Sequence, residues 1–347
     1  MAVGGGALGD AMRGAIRALM PPDLHAVDLC ALRGDDALVA SLGPRGESDP
    51  SLRRFLLYSI TKTMAAVAAL QLVGAGRLDL DDDLGAWLPE FAPAREFTLR
   101  HLLQHTSGLP DYGGSREYHE AVRAGGPPWT EDEFLDRTEA SRLRSVPGRT
   151  FAYSNIGYML LRRVLVRASG EGFADLLRRV VFGPPGLEDA ALVTTPAELS
   201  GFTFGPSRYL GGDGEPADVI RRYHPGWIAP GVVGASPASA ARFLHSLWAG
   251  TLLPVPLRDE MSKGRQVEIG DDSPWKRPAY GLGLMMEMDD DDGPAYGHLG
   301  GGPGCSPAVF HFPRKSRPLT VCVVTSGEST DRAVLMVKAV AATVPRS

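Results

Sequence analysis

Ser59-Ile60-Thr61-Lys62 sets a hydroxyl and an amine three positions apart. On a helix, positions i and i+3 share one face, so this spacing brings the lysine amine beside the serine hydroxyl. Serine becomes a nucleophile when a neighbouring base takes its proton, and an unprotonated lysine in a desolvated pocket can act as that base. A helix start also presents unpaired backbone N–H groups to a developing oxyanion. The same residues suit a plain helix cap with a solvated lysine. The apolar flanks, Phe55-Leu56-Leu57 before and Met64-Ala65-Ala66-Val67 after, weigh against solvation.

Two further clusters carry chemistry of the same kind. Tyr153-Ser154-Asn155 follows Pro147-Gly148 and precedes an apolar helical run from Ile156. A tyrosine sharing protons with a serine–lysine pair can act as general base and then general acid, and an asparagine two positions on can bind a substrate amide or carbonyl. A buried tyrosine beside an asparagine helix cap accounts for the same residues. His298-Leu299-Gly300-Gly301 offers a cationic or hydrogen-bonding side chain followed by glycines. Such a segment can line a cleft wall, with Gly300 and Gly301 letting backbone approach a substrate and donate N–H groups. A glycine-rich strand edge is the alternative.

These residues need elements to position them. Ala11, Met12, Ala15, Ile16 and Leu19 recur at helical spacing near the N-terminus. Leu24 to Gly34 and Asp36 to Gly43 read as strands joined at Gly34-Asp35-Asp36. Phe55 to Ser59 runs directly into a buried helix carrying Met64, Val67, Leu70, Gln71 and Leu72, which Gly74 and Gly76 end. From Leu78 to Arg222 the pattern is mostly helical, with segments at 98–109, 131–143, 158–170 and 173–183, and another helix follows near 240. The last third returns to short strands at 280–288, 294–300, 307–313 and 319–326, with turns at Asp289 to Asp292 and Arg314 to Arg317, before a closing helix. The simplest packing is an α/β (α+β) unit: residues 1–75 together with 225–347 share one sheet, and a mostly helical region, 76–224, is inserted in it.

Composition narrows the function. The 347 residues are 44% hydrophobic and 22% charged, enough apolar material for a sizeable core. With 36 basic and 41 acidic side chains and no concentrated basic stretch, nucleic acid is not an expected partner. Cys30, Cys305 and Cys322 are too few and scattered for a disulfide framework; Cys30 and Cys322 read as small buried thiols, and Cys305 sits in a Gly/Pro loop. His101 and His105 stand at a zinc-compatible spacing but lack the glutamate and a third ligand, so neither metal nor cofactor is expected. Asp79 and Asp81 to Asp83 suit turn and cap duty, because no calcium loop is completed. No phosphate-cradling loop occurs, and the two near matches to a nucleophile elbow, at Ser236 and Ser306, lack its final glycine. Arg13 and Arg17 interrupt the N-terminal apolar pattern, and no run of 18 apolar residues exists, so the chain reads as cytoplasmic without a membrane partner.

In order, the three clusters resemble the serine β-lactamase and penicillin-binding-protein superfamily, whose signatures are S-x-x-K, S-D-N and K-T-G. The closer resemblance is to the branch with Tyr-x-Asn and His-x-Gly or Lys-x-Gly: class C β-lactamases, D,D-carboxypeptidases, D-aminopeptidases and many esterases. The stretches Leu70 to Phe91 with Thr98 to Tyr112, and Val146 to Gly170, are similar to that family's connecting segments. The resemblance implies an antiparallel sheet flanked by helices with an inserted helical lobe. It implies Ser59 as nucleophile, Lys62 and Tyr153 as proton-transfer partners, and Asn155 as substrate holder. Ser59 and Gly301 would supply the oxyanion-hole N–H groups, and His298 the third-cluster cation. Leu299 and Gly301 stand where many relatives carry hydroxyls, which disfavours β-lactam and D-Ala-D-Ala carboxylates. The expected activity is hydrolysis of small esters, amides or D-amino-acid peptides through an acyl-Ser59. A transacylase with the same intermediate and a non-catalytic binding module are the alternatives. Loops at Tyr112 to Trp129 and Gly205 to Trp227 are the expected substrate walls.

Overall fold

The computed structural model describes residues 6–34, 36–43, 46–48, 53–211, 215–270, 273–288 and 293–345. The strands in chain order are β1 (Val27–Arg33), β2 (Asp36–Gly43), β3 (Gly46–Ser48), β4 (Phe55–Leu56), β5 (Ala191–Val193) and β6 (Val232–Ala235). They continue with β7 (Arg265–Gln266), β8 (Pro278–Tyr280), β9 (Met285–Glu287), β10 (Ala295–Leu299), β11 (Ser306–Phe312) and β12 (Leu319–Thr325). Nine form one antiparallel sheet in the order β3-β2-β1-β12-β11-β10-β9-β8-β7, which joins the two ends of the chain. Cys30 faces Cys322 across β1 and β12, and His298 faces Val309 across β10 and β11.

Strand alternation divides the core between the two sheet faces. Leu29, Ala31, Val321 and Val323 pack with Met12 and Ile16 of the Ala7–Leu19 helix and with Val334 and Val337 of the Thr330–Ala342 helix. Cys30, Cys322 and Val324 point the other way, into the larger core shared with Phe243 and Leu244 of the Pro237–Trp248 helix. The Ile60–Gly74 helix is buried on nearly every side, as its apolar composition requires. All three thiols are buried, and Cys305 Sγ lies 3.6 Å from the Leu56 carbonyl oxygen.

Several elements differ from the sequence pattern for local reasons. The 98–109 segment is helical only over Leu99–Leu103, because His105 takes a left-handed φ of 55° and Gly108 one of 78°. The 131–143 helix stops at Arg137, followed by Glu139 at φ 50°. Residues 280–288 are not one strand: Gly283, at φ 68°, separates β8 from β9. A second sheet, β4-β6-β5, pairs the short strand that leads into Ser59 with two strands the sequence pattern did not show. Gly34 turns the β1–β2 hairpin at φ 61°, whereas Asp35 and the Asp289 to Asp292 turn lie outside the described residues.

Candidate active site

The second sheet delivers the nucleophile segment. The Leu57 N–H donates to the Val233 carbonyl at 2.8 Å, extending the β4–β6 ladder by one bond. Tyr58 then takes a left-handed φ of 46°, a conformation costly for a bulky side chain. Its hydroxyl donates to the Pro303 carbonyl at 2.6 Å. A Cβ added at Gly302 would lie 2.2 Å from the Tyr58 ring, so only glycine admits that ring here. The turn leaves Ser59 half-buried at the N-cap of the Ile60–Gly74 helix.

Lys62, one turn on, is 2% exposed. Its Nζ lies 3.1 Å from Ser59 Oγ and 2.8 Å from Asn155 Oδ1. Burial pulls its pKa down to about 7, against a smaller upward pull from the Asp111 carboxylate. Lys62 therefore exchanges its proton near neutrality. Tyr153 donates its hydroxyl to Ser59 Oγ at 2.8 Å. Its pKa is raised, chiefly by burial, so the phenol keeps its proton.

The Asn155–Ser169 helix fixes the second cluster. Ser154 caps it by accepting from the Gly157 N–H at 3.0 Å, and the Asn155 N–H donates to Asp111 Oδ1 at 2.7 Å. The Ser154 N–H donates to His105 Nδ1 at 3.1 Å, and the His105 ring lies 4.2 Å from that of Tyr153. His105 is thus a buried support for the tyrosine. His101 closes a capping box with Thr98, and no group of metal-binding side chains is found among the described residues.

Three sequence expectations change here. His298 is fully buried, with Nδ1 donating to its neighbour's Leu299 carbonyl at 2.6 Å and Nε2 accepting from the Tyr280 hydroxyl at 3.0 Å. Burial lowers its pKa to about 3, so it is neither a cation nor a cleft wall. Gly300 spends its N–H on the Pro307 carbonyl at 2.7 Å, and a Cβ there would stand 2.4 Å from the Leu57 carbonyl oxygen. Its role is close packing on the nucleophile turn. Asn155 turns its carbonyl oxygen to Lys62, which leaves only its amide nitrogen for a substrate.

Ser59, Asn155 and Gly301 line a cleft of about 210 Å³. Among the described residues, no protein acceptor is found for the N–H of Ser59 or Gly301. Both expected loops reach this cleft: Tyr112, Tyr118 and His119 from one, Tyr209 and Tyr223 from the other. His119 Nδ1 and the Tyr209 hydroxyl meet at 2.5 Å, linking the two walls. These aromatic residues carry no motif, so only the loop positions were readable beforehand. No lysine or arginine lines the cleft among the described residues.

Several known proteins are similar to this chain in sequence or in fold. Penicillin-binding protein 4* of Bacillus subtilis (strain 168) is 25% identical over 273 residues, 74% of this chain and 58% of that protein. The chain thus spans under two thirds of that relative's length. Esterase EstB of Burkholderia gladioli is 30% identical over 267 residues, 68% of this chain and 67% of the esterase. A solved D-amino acid amidase from Ochrobactrum anthropi SV3, complexed with D-phenylalanine, superposes with a TM-score of 0.81 at 22% identity over 97% of each chain, a likeness of fold. With the Beta-lactamase family model matching residues 44–344 and the sheet, helices and Ser59–Lys62–Tyr153 cluster in place, the chain belongs to the beta-lactamase family.

Proposed function

We propose that the protein is a serine hydrolase of small esters and amides that works through an acyl-Ser59 intermediate. One observation carries the reading: Ser59 Oγ lies within hydrogen-bond reach of both a desolvated Lys62 amine and the Tyr153 phenol. Unprotonated Lys62 takes the Ser59 proton as Oγ attacks the carbonyl carbon. The N–H groups of Ser59 and Gly301 receive the oxyanion. Tyr153 gives its proton to the departing oxygen or nitrogen and is re-protonated by Lys62. Water then attacks the ester, with the same groups working in reverse.

The esterase and amidase names of the similar proteins support this substrate range, D-amino-acid amides included. A cleft without lysine or arginine supports a weak response to carboxylate-bearing β-lactams and D-Ala-D-Ala peptides. A pure binding module has no use for a buried amine costly to keep unprotonated beside a serine. The two-part organisation, 1–75 with 225–347 around 76–224, is supported by the large sheet, whose nine strands all come from the flanking segments. No described helix is long and apolar enough to cross a membrane.

Incubation with p-nitrophenyl acetate, p-nitrophenyl butyrate and D-phenylalanine amide, followed by intact-mass spectrometry, tests the reading. Acyl adducts and free acid are expected. Acyl groups recovered only on an added amine or alcohol would replace hydrolysis by transacylation, and absence of any adduct or turnover would remove the catalytic reading.

A further inference from the structure

The two cleft walls meet through one pair of side chains, and each member of the pair is anchored behind the cleft. His119 Nδ1 and the Tyr209 hydroxyl lie 2.5 Å apart, with their rings edge to face at 5.3 Å. Both are half-buried, whereas Tyr58, Tyr112 and Tyr223 of the same lining are buried, so the pair stands towards solvent. The Tyr209 N–H donates to Glu328 Oε2 at 3.1 Å. The other oxygen of that carboxylate accepts from the Ser207 hydroxyl at 2.5 Å and from the Gly304 N–H at 3.2 Å. The Gly205 N–H donates to the Gly304 carbonyl at 2.8 Å. The Tyr209 wall is thus tied to the loop that carries Gly301. His119 belongs to the Arg116–Ala124 helix, in which the Tyr118 hydroxyl donates to the Trp227 carbonyl at 3.1 Å. The Tyr118 ring packs against Tyr112, Trp129 and Phe134 and so fixes the other wall.

We propose that His119 and Tyr209 form a strap across the cleft that sets the longest acyl chain the enzyme accepts. The inference rests on the acyl-Ser59 reading and adds two specificity-determining residues to it. Ser59 and Gly301, whose N–H groups receive the oxyanion, both line this cleft of about 210 Å³. Tyr153, which protonates the departing atom, is not among its described lining residues. The group that stays on Ser59 is therefore the one that meets the strap. A chain too long for the cleft has to part His119 from Tyr209. The hydrogen bond alone would yield, because both side chains reach water when it opens. The anchors are what resist: Tyr209 moves only with the Glu328 contacts, and His119 only with the packing of Tyr118. Forcing extra methylenes into a site that does not yield is unfavourable. Glu328 acts here as a positioning residue, since it holds Tyr209 from outside the cleft lining.

The p-nitrophenyl esters of acetic, butyric, hexanoic and octanoic acid vary the acyl chain behind one leaving group. In the native protein kcat/KM is expected to fall roughly tenfold or more from butyrate to octanoate, the size of penalty that misfitting methylenes carry in an enclosed site. His119→Ala opens the strap, and Glu328→Ala frees the Tyr209 backbone without altering a side chain of the lining. Each is expected to shrink the butyrate-to-octanoate fall to roughly threefold or less. Tyr209→Phe keeps the ring and loses the hydrogen bond, so its ratio should lie between those of native protein and His119→Ala. Partial unfolding lowers every ester alike and leaves the ratio within one variant unmoved, which separates the strap from a merely structural role. A native protein that takes octanoate as readily as butyrate overturns the proposal. So do variants that keep the native ratio, or a length limit that follows the alcohol in acetates of ethanol, butanol and hexanol. Acetyl-Ser59 detected by intact mass in the same assays keeps such a failure distinct from a failure of the acyl-enzyme reading.

Discussion

The Asn155 carbonyl oxygen accepts from Lys62 Nζ at 2.8 Å, a shorter contact than the 3.1 Å between Nζ and Ser59 Oγ. A neutral acceptor in that position orients the amine without stabilising its charge as a carboxylate would. Asn155→Asp is therefore expected to raise the Lys62 pKa by about one to two pH units, in line with an opposite charge at contact distance. The acid limb of the kcat/KM profile should move upward by the same amount, and neutral-pH activity should fall. An unmoved limb would separate Lys62 from the base role.

In the native protein the acylation rate is expected to rise with pH and level off near 7, the value to which burial lowers Lys62. Below that pH the amine is protonated and cannot accept from Ser59, so kcat/KM should drop about tenfold per pH unit. Burst-phase kinetics with p-nitrophenyl acetate between pH 5 and 9 measure this directly.

The same burial costs stability. Lys62 binds a proton in the unfolded chain up to an ordinary lysine pKa of about 10.4 and in the folded chain only up to about 7. Between those values the unfolded state holds more protons, so stability rises with pH across that window. Lys62→Met removes this penalty, and denaturant unfolding should show stabilisation on the order of 2 kcal/mol at pH 7, shrinking towards pH 10. Activity should be lost in the same variant.

Tyr153→Phe and Lys62→Met should each lower kcat/KM on the order of 10³-fold, while the double variant is little worse than either, because groups on one proton path fail as a unit. Multiplying losses would assign them to separate steps. Steady-state kinetics on the two single variants and the double variant decide it.

Gly302→Ala would drive a methyl into the Tyr58 ring, whose backbone is already at a φ of 46°. Overpacking of that kind costs about 1–3 kcal/mol and would displace the turn that aims Ser59. A lower Tm together with a fall in kcat larger than the change in KM is expected.

Much of the site was readable because its parts are local. Ser59 and Lys62 sit one helical turn apart, and the apolar flanks announced the burial of that helix. The strands β1, β2, β11 and β12 run for seven or eight residues and are long enough to read, β11 and β12 as largely apolar runs buried along their whole length, whereas β4, β5 and β6 span two to four residues and carry no period. Contacts between distant segments were not legible. Nothing near His298 tells that its ring turns to Tyr280 and loses its charge. The glycines after it read as substrate-facing, yet Gly300 and Gly302 serve the Leu57–Tyr58 turn, a relation visible only once the two segments meet.

The most direct test asks which atom carries the acyl group. Native protein and Ser59→Ala are each incubated with p-nitrophenyl butyrate or a fluorophosphonate, quenched in acid, weighed intact and mapped by peptide fragmentation. One adduct on the peptide containing Ser59, and none on Ser59→Ala with its fold unchanged by circular dichroism, is the expected result. An adduct that persists in Ser59→Ala, at Ser236, Ser306 or any other side chain, would contradict acyl transfer through Ser59.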